Sequence, residues 1–162
     1  MPDTNLRDEL GKMLDQYDER RRAVLVREQK VRDEDAAFLA GFAQLRRAVA
    51  RPVFELAAAM LAERGHKVTI AEQEYSVDAA RKVTEASIAI LIVPSGAAAP
   101  PREEQAHALE ISTRHYNKTV WINGGASFDS GAGARGAYSL ERVDRELVEM
   151  VLVRFVAKLV EA

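Results

Sequence analysis

Apolar residues recur every seven positions over the first third of the chain, at Leu10, Tyr17, Val24, Val31, Phe38 and Leu45. Between Asn5 and Ala50 there is no proline, and Gly11 and Gly41 are the only glycines. A seven-residue spacing returns to the same helical face after two turns, so the pattern predicts one long helix. At 1.5 Å per residue such a helix is about 70 Å long, more than one small domain can cover. A second apolar row begins at Leu6 and Met13 but continues with Arg20, Arg27 and Glu34, so a coiled-coil seam is well formed at its start and frayed in its middle. The stripe calls for cover from another surface. Leu6, Leu10, Met13, Tyr17, Phe38 and Leu45 are its expected contact residues in a homo-oligomer.

The pattern changes at Pro52, which is at home in the first turn of a helix and disruptive in its interior. A kink or short break is therefore expected at Ala50 to Arg51, then a new helix from Pro52 to Arg64 with Gly65 as its stop. Val53, Leu56, Ala57, Met60 and Leu61 give that helix a stripe suited to packing on a sheet. "HKVTIAEQEY" alternates as a strand does, and "SIAILIVPS" is apolar on both faces, as an interior strand must be. Between them, "SVDAARKVTEA" fits a short helix or an irregular crossing.

"HALEISTRHYNKTVWIN" admits two structures. Leu109, Ile111 and Thr113 alternate with Glu110, Ser112 and Arg114, as in a strand that turns back at "NK" (117 to 118) into "TVWIN". Alternatively, Ala106, Leu109, Thr113 and Tyr116 form the stripe of a crossover helix between parallel strands. The crowding of β-branched residues favours the hairpin. Leu140 to Val160 reads as a final helix, apolar on most sides, with Ser139 as its cap and Tyr138 and Val143 as a hydrophobic staple. The expected fold is α+β: an N-terminal helical arm over 1–50, then a globular domain over 51–162. That domain holds a small antiparallel sheet of three to four strands with the C-terminal helix packed on it.

Composition narrows function mainly by exclusion. The chain has 162 residues, 48% hydrophobic and 30% charged, ordinary for a globular domain. It has no cysteine, which removes disulfides, thiolate metal sites and cysteine nucleophiles together. No apolar run approaches a membrane span, and the N-terminus is charged from residue 3, so a cytoplasmic protein is expected. A net charge of −2 gives no bias toward nucleic acid. "DERRRAVLVREQKVRDED" (18 to 35) contains the triplet Arg20, Arg21 and Arg22, but its six basic residues are matched by six acidic ones. Glu28 with Arg32, and Lys30 with Glu34, are spaced to pair on one helix surface, which describes a solvated face better than a nucleic-acid arm.

Candidate chemistry is sparse. "GAGARG" at 131 to 136 matches the dinucleotide-binding glycine pattern, but that motif must directly follow a strand and open a helix. Here "GGASFDS" intervenes after "KTVWIN", and no second strand follows to carry a ribose-binding acid. The segment reads as a glycine-rich loop, and no cofactor is expected. Of His66, His107 and His115, only His107 with Glu110 has metal-like spacing, and only on a helix, so no metal site is expected either. Ser95, Ser127 and Ser130 lack the strained elbow of a nucleophile.

Under the crossover alternative, "ASIAILIVPSG" followed by "EEQAHAL" resembles a segment of the nucleoside deoxyribosyltransferase family over residues 86 to 120. The resemblance implies a strand, a small-residue loop and a helix with an acidic nucleophile at the position of Glu104, in a small enzyme acting on nucleosides or nucleotides. This chain departs from the family at Ala86, where an acid is expected, in a longer helix, and in lacking the first strand. The residues as a whole favour a non-enzymatic interaction or scaffold protein that self-associates or holds a protein partner.

Overall fold

The computed structural model describes residues 2–95, 107–124 and 136–161. The chain forms two compact units, Met1–Ala37 and Phe38–Ala162. The fold is α+β, with a long N-terminal helix, an antiparallel sheet and a C-terminal helix.

The first unit consists of the N-terminal run of helix α1 (Pro2–Leu45). Its polar surface carries the expected four-residue ion pairs, Glu28–Arg32 at 3.8 Å and Lys30–Glu34 at 4.0 Å. Both are solvent-exposed, so each contributes at most about 0.5 kcal/mol.

In the second unit, α1 is followed without a break by one π-helical turn (Arg46–Ala50) and helix α2 (Arg51–Glu63). The chain stays helical through Ala50 and Arg51, at φ −68° and −62°, and the discontinuity at this join is the π turn. It inserts one residue into the hydrogen-bond ladder just before Pro52, where the missing N–H would otherwise leave a gap. Gly65 ends α2 as expected, at φ +88°. Its N–H donates to the Ala62 carbonyl at 3.0 Å, and the His66 N–H reaches the Leu61 carbonyl at 3.1 Å, the paired bonds of a Schellman stop.

Strands β1 (Lys67–Gln73), β4 (Ser87–Val93), β5 (His107–Arg114), β6 (Thr119–Asn123) and β7 (Gly136–Tyr138) form a five-stranded sheet in the order β1-β4-β5-β6-β7. Every neighbouring pair is antiparallel. β2 (Ser76–Val77) and β3 (Val83–Thr84) form a separate two-stranded ribbon, so the segment after β1 is neither helix nor irregular crossing. Its turn is closed by the Asp78 carboxylate, which accepts the Lys82 N–H at 2.8 Å, with Arg81 at φ +62°. The main sheet exceeds the three to four strands expected because β7, three residues long, follows a glycine-rich segment that carries no alternation.

The hairpin is the structure of residues 107–123. Arg114 pairs with Thr119, and Lys118 takes a left-handed φ of +53° in the connecting turn. His107–Arg114 is therefore strand, and the crossover-helix alternative is corrected for those residues. Leu109, Ile111 and Thr113 are buried and alternate with the less buried Glu110, Ser112 and Arg114, which suits a sheet covered on one side.

The covered side holds Ile88, Ile90 and Ile92 of β4, Leu109 and Ile111 of β5, and Val120 and Ile122 of β6. Phe42 at the end of α1, Val53 and Phe54 of α2, and Phe155 of the C-terminal helix complete one continuous core. That helix, α3 (Arg145–Glu161), begins later than expected and is preceded by a short 3-10 turn (Leu140–Arg142). Ser139 makes no side-chain cap bond. Asp144 is the cap: its carboxylate accepts the Leu147 N–H at 2.9 Å.

Candidate functional site

The stripe on α1 starts from sequence spacing and ends as exposed surface. Leu6 is 58% exposed and Tyr17 59%; Leu10 and Met13 are also exposed, as are Val24 and Val31 farther along the same row. Leu14, four residues from Leu10, and Leu25, next to Val24, are also exposed. The two remaining contact candidates have a different place. Phe38 is 4% exposed and Leu45 9%, both within the core shared by α2, α3 and the sheet. Their apolar surface is already covered inside the chain, so the seven-residue row is exposed up to Val31 and belongs to an internal core from Phe38 onward.

A charged cluster joins the helical layer to β1. Arg46, in the π turn, is only 8% exposed. Its guanidinium donates to the Gln73 carbonyl at 3.1 Å, to the Ser87 carbonyl at 3.4 Å and to the Glu74 carboxylate at 2.5 Å, with Glu72 at 3.8 Å. Arg51 reaches Glu55 at 2.9 Å and Glu72 at 3.1 Å. The hydrogen bond that Arg51 donates to Glu55 first, and then that to Glu72, hold its guanidinium above its usual pKa. The planar fork of Arg46 satisfies two backbone acceptors and a carboxylate at once, a structural task suited to arginine.

A polar cleft of about 360 Å³ lies at the ends of β1, β4 and β5, lined by Glu85, Ser87, Glu110, Ser112, Arg114 and His115 among others. Its best-defined group is Glu85. The carboxylate accepts the Thr113 hydroxyl at 3.0 Å and the His115 backbone N–H at 3.2 Å, and it contacts the His115 ring at Nδ1. Thr113, fully buried, in turn accepts the Ala86 N–H at 3.0 Å. Tyr75 meets the His115 ring edge-on, with centroids 5.3 Å apart. A carboxylate accepting from Nδ1–H fixes the imidazole tautomer and orientation. Among the described residues, neither Ser87 nor Ser112 is hydrogen-bonded to that ring, so the cleft holds an oriented imidazole without an attached nucleophile.

No protein-family model, curated protein or solved structure matches this chain.

Of the remaining sequence candidates among the described residues, Glu110 lines the polar cleft and His66 and His107 do not. Glu104 and the glycines of "GAGARG" up to Gly133 lie outside the described residues; Gly136 opens β7. His107 and Glu110 stand on β5, where a separation of three places them on opposite faces of the sheet, so the metal-like spacing has no helix to act on. His66 accepts the Ser95 N–H at 2.9 Å through Nδ1. No group of three metal-ligating side chains occurs among the described residues, and no helix there is long and apolar enough to cross a membrane. Sequence reasoning passed over Arg46, Glu72, Glu85 and Thr113. Their contacts span 21 to 41 positions, so no local spacing announces them.

Proposed function

We propose that this is a cytoplasmic, non-enzymatic interaction protein that self-associates through helix α1. The observation that carries the reading is the exposed row Leu6, Leu10, Met13 and Tyr17, continued by Val24 and Val31, on a helix long enough to present it along one side. Fully burying a large apolar side chain gains about 1.5–3 kcal/mol, and a row of this length gains enough on pairing to exceed the cost of bringing two chains together. The absence of cysteine and the balanced charge suit a protein that assembles by packing, without covalent links and without nucleic acid. Phe38 and Leu45 belong to the chain's own core, so the proposed contact residues are Leu6, Leu10, Met13 and Tyr17, with the surrounding exposed apolar positions.

The test is the mass of the intact chain by light scattering at micromolar concentration, beside the double variant Leu10→Asp with Tyr17→Asp. The wild-type chain is expected to be a dimer or larger and the variant a monomer with an unchanged melting profile. A monomeric wild-type chain, or a variant of undiminished mass, removes the reading.

A further inference from the structure

The charges of α1 are not mixed evenly, and their order specifies how two copies meet. From residue 7 to 19 the acids Asp8, Glu9, Asp15, Asp18 and Glu19 outnumber Arg7 and Lys12; from 20 to 32, Arg20, Arg21, Arg22, Arg27, Lys30 and Arg32 face a single acid, Glu28. Both stretches lie in one uninterrupted helix whose side chains there are exposed. Two parallel copies would set acid on acid and base on base. Two antiparallel copies set each acidic stretch on the basic stretch of the other.

We propose that α1 pairs with α1 of a second copy as an antiparallel coiled coil in which facing residue numbers sum to 37. The inference rests on the self-association proposed above and assigns its geometry. Leu10, Tyr17, Val24 and Val31 occupy one core position of the heptad, and Leu6, Met13, Arg20 and Arg27 the other. In an antiparallel pair the two kinds of position face each other. Leu6 then meets Val31 of the second copy, and Met13 meets Val24. Leu10 covers the aliphatic stem of Arg27, and Tyr17 offers its ring to Arg20, contacts that leave each guanidinium able to reach water. The frayed row is thus filled from the other side: each arginine that breaks one copy's seam meets a large apolar or aromatic residue of the other.

The flanking positions single out this register. With the sum at 37, Arg7 stands beside Glu28 of the second copy and Glu9 beside Lys30, both opposite in sign. Sliding one heptad in one direction places Arg21 beside its own counterpart. Sliding one heptad in the other direction places Arg7 beside Arg21. Like charges in these positions destabilise the pair, so both neighbouring registers are disfavoured.

The chain has no cysteine, so a single introduced thiol is its only reactive one. Full-length Met13→Cys and Val24→Cys chains are mixed and treated with a short bismaleimide, beside each variant alone and beside the pair Leu6→Cys with Val31→Cys. Light scattering first establishes the mass of every sample. The mixtures are expected to yield covalent dimers and the single variants none, because in this register residue 13 lies about 16 Å along the axis from its own counterpart. Self-crosslinking of Met13→Cys alone indicates parallel helices and overturns the arrangement while leaving self-association standing. Dimers by light scattering with no crosslink from either mixture do the same. A monomeric wild-type chain overturns self-association and the arrangement together.

Discussion

Ile90 and Leu91 are adjacent in β4 and face opposite sides of the sheet. Ile90 has no exposed surface and packs in the core, whereas Leu91 is half-buried on the other side. Ile90→Ala is expected to cost about 2–5 kcal/mol and Leu91→Ala less than about 1.5 kcal/mol, measured by urea unfolding. Similar losses at the two positions would contradict the assignment of faces. Arg46 tests a different kind of burial. Arg46→Ala removes a donor from the Gln73 and Ser87 carbonyls and a partner from Glu72, so a loss of about 2–3 kcal/mol is expected in the same assay. Arg46→Lys should recover only part of it, since an ammonium cannot reproduce the planar fork.

At the scale of elements, helix ends give the sharpest contrast. Asp144→Ala removes the acceptor for the Leu147 N–H and is expected to cost about 1 kcal/mol, while Ser139→Ala, which breaks no cap bond, should be near zero. Equal effects would return the cap to Ser139. Gly65→Ala forces a side chain into a φ of +88° at the end of α2 and should cost about 1–2 kcal/mol. The Glu85, Thr113 and His115 network lies at the same scale, tying the start of β4 to the end of β5. It reads as a brace between two strands that also leaves an oriented imidazole in an open cleft.

For the whole molecule, the core begins before Pro52. Phe38, Phe42, Leu45 and Ala50 are buried with the sheet and α3, so a chain begun at Arg51 loses four core side chains and Arg46 together. Each large apolar deletion costs about 2–5 kcal/mol against a total stability of about 5–15 kcal/mol, so that chain is expected to be unfolded by circular dichroism, and one begun at Ala37 to melt cooperatively. The proposed pairing of intact chains should respond to salt. Near 1 M, where screening acts within about 3 Å, the acidic and basic stretches of α1 lose their mutual attraction and the dimer dissociates at a higher protein concentration than in dilute buffer. Insensitivity to salt would point to association through apolar contacts alone.

Local pattern determined the helix of α1, the stop at Gly65, the alternating strands and the α+β class, because each depends on residues within a few positions of one another. The hairpin at 107–123 was legible for the same reason, through β-branched residues in alternation. What the tertiary structure decided is which apolar residues are spent internally. Phe38 and Leu45 continue the row of Leu10 and Tyr17 without a change of spacing, yet they lie against the sheet and α3, and no periodicity distinguishes a residue facing its own core from one facing a partner. The same limit hid the buried Arg46 and the Glu85 brace. Their partners are set by strand order, which brings residues 27 to 41 positions apart within hydrogen-bond reach, and strand order is a property of the packed sheet.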